Sequence, residues 1–164
     1  MFKHILVPTD FSEAAARALD AALEMAERFG SVVTLMHVYE PTQPVPYGDG
    51  MIWPAERVER VAREALDDLV ARTQERYPAC NGILKPPGTP CDAIIAVARD
   101  CGADVIVMGT HGRRGLAHLV LGSTAERVVR TSPVPVLTLS PSSAGVEPGA
   151  ATKQVDGRAE TSGA

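Results

Sequence analysis

Short apolar runs alternate with amphipathic stretches along most of the chain. His4 to Val7 is a brief apolar run closed by Pro8, the pattern of a buried strand. Asp10 and Ser12 can each cap the helix that follows. Its Ala15, Leu19, Ala22, Ala26 and Phe29 recur at helical spacing and predict the buried face, and Gly30 stops it. Ser31 to Val38 reads as a second strand. Residues 40–53 hold Pro41, Pro44, Pro46, Gly48 and Gly50, with Pro54 at the edge, and read as a long loop. A second helix is expected from about Pro54 to Arg76, with Val58, Ala62, Ala65 and Leu69 on one face and Pro78 as its terminator.

The next strand is weak. Gly82 to Lys85 runs straight into Pro86 and Pro87, which cannot donate ladder hydrogen bonds, so it belongs at a sheet edge. Thr89, Pro90 and Asp92 read as an N-cap, a first helical proline and a capping-box acid for a helix that buries Ile94, Ala98 and Cys101 and ends at Gly102. Asp104 to Met108 includes the unbroken apolar run of a central parallel strand. A turn, a helix from about Ser123 to Arg130 and a strand from Val134 to Leu139 follow. Strands separated by helices imply an α/β fold: a five-stranded parallel doubly wound sheet with helices on both faces and right-handed crossovers. The weak third strand suits one edge, which gives the strand order 3-2-1-4-5. One domain over residues 1–140 accounts for this pattern. Residues 141–164 lack apolar periodicity and are rich in Gly, Ala and Ser, so they read as a disordered C-terminal tail.

Composition changes this picture little. The chain has 164 residues, 45% hydrophobic, 22% charged and only 4% aromatic, so the core must be built from Ala, Val, Leu and Ile. A formal charge of -4 without a Lys/Arg cluster argues against nucleic acid as a partner. Apolar runs such as Val105 to Met108 are too short to span a membrane, and MFKHILVPTDF lacks the apolar core of a signal peptide; a cytoplasmic location is expected. Cys80, Cys91 and Cys101 show no metal or redox spacing and read as reduced packing groups. His4, His37, His111 and His118 show no metal spacing either, and no metal site is expected.

Topology locates the chemistry. In an open α/β sheet, ligands bind beyond the C-terminal strand ends where the winding reverses, here between strands one and four. Two segments meet there: Pro8-Thr9-Asp10, and the turn Gly109-Thr110-His111-Gly112-Arg113-Arg114-Gly115 that leads to Gly122-Ser123-Thr124. Glycines permit positive φ and close approach of a ligand, and a helix starting near Ser123 aims its N–H groups and dipole at the same space. Ser123 and Thr124 add hydroxyls, and Arg113 and Arg114 add charge, which makes a phosphate site. A second reading stays open: a plain tight turn, with Ser123 and Glu126 forming a capping box. The turn is neither a Walker A loop, since no Gly-Lys-Ser/Thr follows, nor the dinucleotide fingerprint.

The spacing Gly-x2-Gly-x9-Gly-Ser, met by Gly109, Gly112, Gly122 and Ser123, resembles the signature of the ATP-binding branch of the universal stress proteins. The resemblance runs from Phe2 to Leu139 and includes ILVPTDFSEAA, LMHVYE, GADVIVMGTHGRRG and SPVPVLTL. It implies an adenine nucleotide, normally ATP and with or without Mg²⁺, with AMP as the alternative. By position, it implies Pro8, Thr9 and Asp10 at the adenosine end, Val38 on adenine and Met108 and Gly109 near ribose. Gly112, Arg113, Gly122, Ser123 and Thr124 would hold the phosphates. Asp10 has a rival but compatible role as a helix cap, and Met108 is equally plain core. His111 lies in the phosphate turn, and Tyr47 and Trp53 in the long loop are candidates to cover the nucleotide or a partner.

Two function classes follow. In one, nucleotide occupancy of a stress or signalling protein biases its conformation or a partner interface. In the other, the fold hydrolyses ATP slowly or transfers its phosphate, a task that wants a P-loop lysine or an acidic pair beside the phosphates. Neither is present in the turn, so binding is favoured and no catalytic residue is assigned. A nucleotide-free interaction protein is the third option. Val134 to Leu139 is expected at the free sheet edge, where twofold pairing with a second copy would protect it and give a homodimer.

Overall fold

The structure, a computed structural model, describes residues 2–39, 55–110 and 121–140. Its elements run β1 (His4–Pro8), α1 (Glu13–Phe29), β2 (Val32–Val38), α2 (Ala55–Arg76), β3 (Cys80–Lys85), α3 (Pro90–Asp100), β4 (Val105–Gly109), α4 (Ser123–Thr131) and β5 (Val136–Leu139). The five strands form one sheet in the order β3-β2-β1-β4-β5, and every neighbouring pair is parallel. Both the architecture and the order are those expected from the sequence.

Alternation along the central strands divides the core into two. Ile5, Val7, Val33, Leu35, Val105 and Val107 point to one face, where they bury Ala18, Leu19, Ala22, Leu23 and Ala26 of α1 and Leu66 of α2. Leu6, Met36, Ile106 and Met108 point to the other, against Cys91, Ile94 and Val97 of α3 and Ala125 and Val128 of α4. Burial on both faces explains why the central strands read as unbroken apolar runs. Cys80 is buried, and desolvation pushes its thiol up to about 11, which keeps it protonated as a packing group.

Several local expectations change. Phe29 does not join the core: it is exposed and meets Phe2 edge-to-face at 5.7 Å, because α1 ends there and Gly30 (φ 65) turns the chain away. On α2 the buried residues are Ala62, Leu66 and Thr73, while Val58, Ala65 and Leu69 are only half-buried, so the inward stripe is rotated toward Leu66. β3 begins at Cys80 and pairs with β2 over Val33↔Cys80 to Val38↔Lys85, longer than its prolines suggested, since these fall just beyond its end. β5 begins only at Val136. Pro135 has no N–H to donate, and the Val134 N–H is taken by Ser132 Oγ at 3.2 Å. The expected tail 141–164 and loop 40–53 lie outside the described residues, as do Pro54, Tyr47 and Trp53.

Candidate functional site

Pro8, Thr9, Asp10, Val38, Met108, Gly109, Gly122, Ser123 and Thr124 gather at the C-terminal ends of β1, β2 and β4 and at the start of α4. On the β1 side, Pro8 stands opposite Met36 of β2 in register. The Thr9 N–H donates to the Met36 carbonyl at 2.8 Å, and the Thr9 carbonyl accepts from His37 Nδ1 at 2.8 Å. Beyond it the chain turns sharply through Phe11, a non-glycine residue at φ 62. A bulky side chain in that region stores strain of about 1–3 kcal/mol and persists only where its surroundings hold it. Three contacts do so: Phe11 N–H donates to Thr9 Oγ1 at 3.0 Å, Ser12 N–H donates to Asp10 Oδ1 at 3.1 Å, and the Phe11 ring lies 4.6 Å from that of His37. Ser12 rather than Asp10 supplies the N-cap of α1, its Oγ accepting from Ala15 N–H at 3.3 Å. Asp10 acts one step earlier, bracing the turn that leads into the cap.

On the β4 side, the Thr110 N–H donates to the Leu139 carbonyl at 2.8 Å and the Thr110 carbonyl accepts from Gly122 N–H at 2.7 Å. Thr110 and Gly122 are therefore a hydrogen-bonded pair, so the end of β4 and the start of α4 are adjacent. The N-cap of α4 is Gly122, at φ -72 and ψ 152, and Ser123 and Thr124 are its first helical residues. The expected capping box does not form. With glycine at the N-cap there is no cap side chain, Ser123 stands one place too late, and Glu126 pairs instead with Arg130 at 3.2 Å. Thr89 likewise occupies the N-cap of α3 without a side-chain hydrogen bond.

Gly109 has an ordinary backbone conformation, so its value is space rather than φ. A Cβ built on it would stand 2.9 Å from Ala14 Cβ and 3.0 and 3.1 Å from the Ala14 carbonyl carbon and oxygen. The glycine lets the first turn of α1 sit directly against the end of β4. Met108 turns its side chain into the α3/α4 core, as the plain-core reading had it. Val38 is half-buried at the end of β2, and the next residue ties that strand to α2. Tyr39 Oη donates to Glu59 at 3.1 Å, and Glu59 is also met by Arg63 at 2.8 Å, which together with the tyrosine hydroxyl holds the carboxyl below its usual range.

Gly112 and Arg113, together with His111, Arg114, Gly115 and His118, lie outside the described residues. Among the described residues no three His, Cys, Asp or Glu side chains are grouped to hold a metal ion, and no helix is long and apolar enough to cross a membrane. A depression of about 310 Å³ is lined by residues of α3 and α4 alone, Arg99 and Arg127 among them, and includes none of the strand-end residues. Sequence reasoning missed Phe11, His37 and Thr110. Thr110 sits between two motif positions, and His37 directly precedes Val38; neither residue type signals a brace.

The sequence profile of the universal stress protein family matches residues 1–140. The chain belongs to that family. A universal stress protein of Thermus aquaticus is 36% identical over 142 residues, covering 84% of this chain and 98% of that protein. The solved structure of protein MJ0577 of Methanocaldococcus jannaschii superposes with a TM-score of 0.72 at 28% identity, covering 88% of this chain and 99% of that one. Two solved structures of universal stress proteins are complexes, one with cAMP (TM-score 0.61, 21% identity) and one, from Archaeoglobus fulgidus, with dAMP (TM-score 0.57, 22% identity). They cover 84% of this chain and 97% of theirs, and at these identities they show the shared fold.

Proposed function

We propose that this universal stress protein binds an adenine nucleotide, ATP foremost, and that occupancy biases its conformation or a partner interface in a stress response. The observation that carries the reading is the start of α4. A glycine N-cap in an extended conformation brings no side chain of its own to that helix end, beside Gly109 at the crossover of an open parallel sheet. Peptide N–H groups and the helix dipole favour a phosphate at such a terminus. Gly122, Ser123 and Thr124, joined by Gly112 and Arg113, would hold phosphates there. Pro8, Thr9 and Asp10 would line the adenosine, with Val38 against adenine and Met108 offering only its backbone toward ribose, next to Gly109. The adenine nucleotides bound by two proteins of this fold support the class of ligand.

Binding rather than catalysis fits the chemistry on the β1 side. Asp10 lies toward the nucleoside, and its Oδ1 accepts from Ser12 N–H, a bracing role rather than that of a base poised at a phosphate. Turnover with ATP and Mg²⁺ belongs far below the ~1–10³ s⁻¹ typical of enzymes. The protein is proposed to act in the cytoplasm as a homodimer paired through its final strand. Mass spectrometry of small molecules released from the purified, denatured protein tests the central point: ATP or AMP recovered near one equivalent supports it. Absence of any nucleotide, together with no calorimetric response to added ATP, refutes it.

A further inference from the structure

The two halves of the site hang from different parts of the fold. The phosphate half is tied to β4 and β5, through Thr110 N–H to the Leu139 carbonyl and Gly122 N–H to the Thr110 carbonyl. The nucleoside half is tied to β2, and both sides of one residue, Thr9, are fastened by consecutive β2 residues. Met36 fastens the Thr9 N–H through its backbone carbonyl at 2.8 Å, a contact any residue could supply. His37 fastens the Thr9 carbonyl through its side chain at 2.8 Å. A carbonyl only accepts, so Nδ1 carries the proton in this bond. The same imidazole lies against Phe11, with ring centroids 4.6 Å apart and planes inclined by 52°.

We infer that His37 is a positioning residue for the nucleoside end of the site, holding the Thr9–Phe11 turn in its left-handed conformation by gripping the Thr9 carbonyl and the Phe11 ring together. The inference rests on the proposed nucleotide reading for its consequence, although the grip itself is a property of the free protein. Phe11 is the one positive-φ non-glycine residue among those described, and such a conformation relaxes unless over-determined. Within the turn, Phe11 N–H to Thr9 Oγ1 and Ser12 N–H to Asp10 Oδ1 are both contacts over two residues, while the Phe11 side chain also packs against the core between the sheet and α1. Contacts so short in sequence shape a turn but cannot anchor it to the sheet. Met36 anchors the Thr9 N–H to β2, and His37, 28 residues away from Thr9 in sequence, anchors the carbonyl side that leads into Phe11. Loss of the imidazole loosens the Thr9 carbonyl and the Phe11 ring at the place where a nucleoside must be met, and binding then bears the entropy of re-ordering the turn.

Three variants separate this role from ordinary packing: His37→Ala removes both contacts, His37→Phe keeps a ring against Phe11 without a donor, and His37→Asn keeps an N–H donor near the position of Nδ1. In the nucleotide-free protein, amide hydrogen exchange at Phe11 and Ser12 should rise at least about fivefold in His37→Ala and His37→Phe, while Thr110 and Gly122 stay within about twofold. The Kd for ATP should rise about tenfold or more in the same two variants and stay within about threefold in His37→Asn. Unchanged exchange at Phe11 and Ser12 overturns the inference. So does equal acceleration at all four amides, which marks a global loss of stability, and so does a His37→Asn protein as impaired as His37→Ala. Faster exchange at the turn with unchanged ATP affinity overturns the link to the nucleoside. If the parent protein takes up no ATP, the nucleotide reading fails by itself, and the exchange pattern still decides whether His37 holds the turn.

Discussion

Replacing Gly109 with alanine tests how closely the two halves of the site are pressed together. The added Cβ would lie 2.9 Å from Ala14 Cβ and 3.0 and 3.1 Å from that residue's carbonyl carbon and oxygen. Carbon atoms settle at about 3.5–4.0 Å, so the two carbon contacts are too short by roughly half an ångström or more, and the oxygen contact is tight as well. Two of the three belong to the backbone of α1, whose first turn is fixed by the Ser12 cap and by the Ala16 N–H to the Ser12 carbonyl at 3.0 Å. No flexible side chain can swing aside, and α1 must move as a body or the end of β4 must bow. Overpacking of this kind costs about 1–3 kcal/mol. We expect a loss near the middle of that range, about 2 kcal/mol, in urea unfolding; at about 2–4 °C per kcal/mol for a domain of this size, the thermal midpoint falls by roughly 4–8 °C. Ala14→Gly offers a check, because it removes the Cβ contact and leaves the two backbone contacts. The double variant should recover at least about 0.5 kcal/mol relative to the sum of the single changes, and not the whole loss. A Gly109→Ala protein within about 0.5 kcal/mol of the parent, the scatter of ordinary surface substitutions, refutes the packing argument.

Three other outcomes are expected. Gly122 has a conformation that valine adopts readily, so Gly122→Val should fold normally yet lose at least ~1.4 kcal/mol of ATP binding, a tenfold rise in Kd by calorimetry; unchanged affinity removes the phosphate site from α4. Light scattering should find a dimer at micromolar concentration for the full chain and for a chain ending at Ser140, since β5 is an edge strand with Leu137 41% exposed; two monomers refute pairing through that edge. The Asp104 carboxylate accepts from the Lys3 N–H and then the His4 N–H, and both lower its pKa from the ordinary 3.8. Its stabilising effect is therefore complete above that value and is lost as pH falls from there through the lowered folded value. Urea midpoints of Asp104→Asn should thus decline less on acidification over that window than those of the parent, and parallel profiles would count against the bond.

Periodicity made the fold legible, and it did so most reliably where burial is double-sided. Val105 to Met108 and His4 to Val7 read correctly because central parallel strands leave no polar face to confuse the pattern. Misreadings gather at boundaries, where a single hydrogen bond outweighs propensity. β5 loses two residues because Ser132 Oγ takes the Val134 N–H and Pro135 has none. Phe29 leaves the core because one glycine at φ 65 ends the helix beneath it.

The candidate site was legible as a set of positions, but not as a set of causes. Gly109 and Gly122 carry the same letter in one motif and look interchangeable in the sequence, yet the fold uses them differently. Gly109 is small because α1 lies on it, whether or not a ligand is bound. Gly122 has an unremarkable φ and heads a helix that no cap side chain closes, so on the proposed reading its smallness would matter on the side from which a phosphate approaches. Substituting the first therefore tests the scaffold, and substituting the second tests the ligand. His37 shows the converse. Its spacing to other histidines suggests nothing, because its partners are a backbone carbonyl and an aromatic ring, groups that leave no pattern of ligand spacing. The proposed site, built from backbone groups, a helix terminus and a bracing imidazole, has few side chains for sequence reasoning to find. What the sequence records of it is mainly where bulk had to be left out.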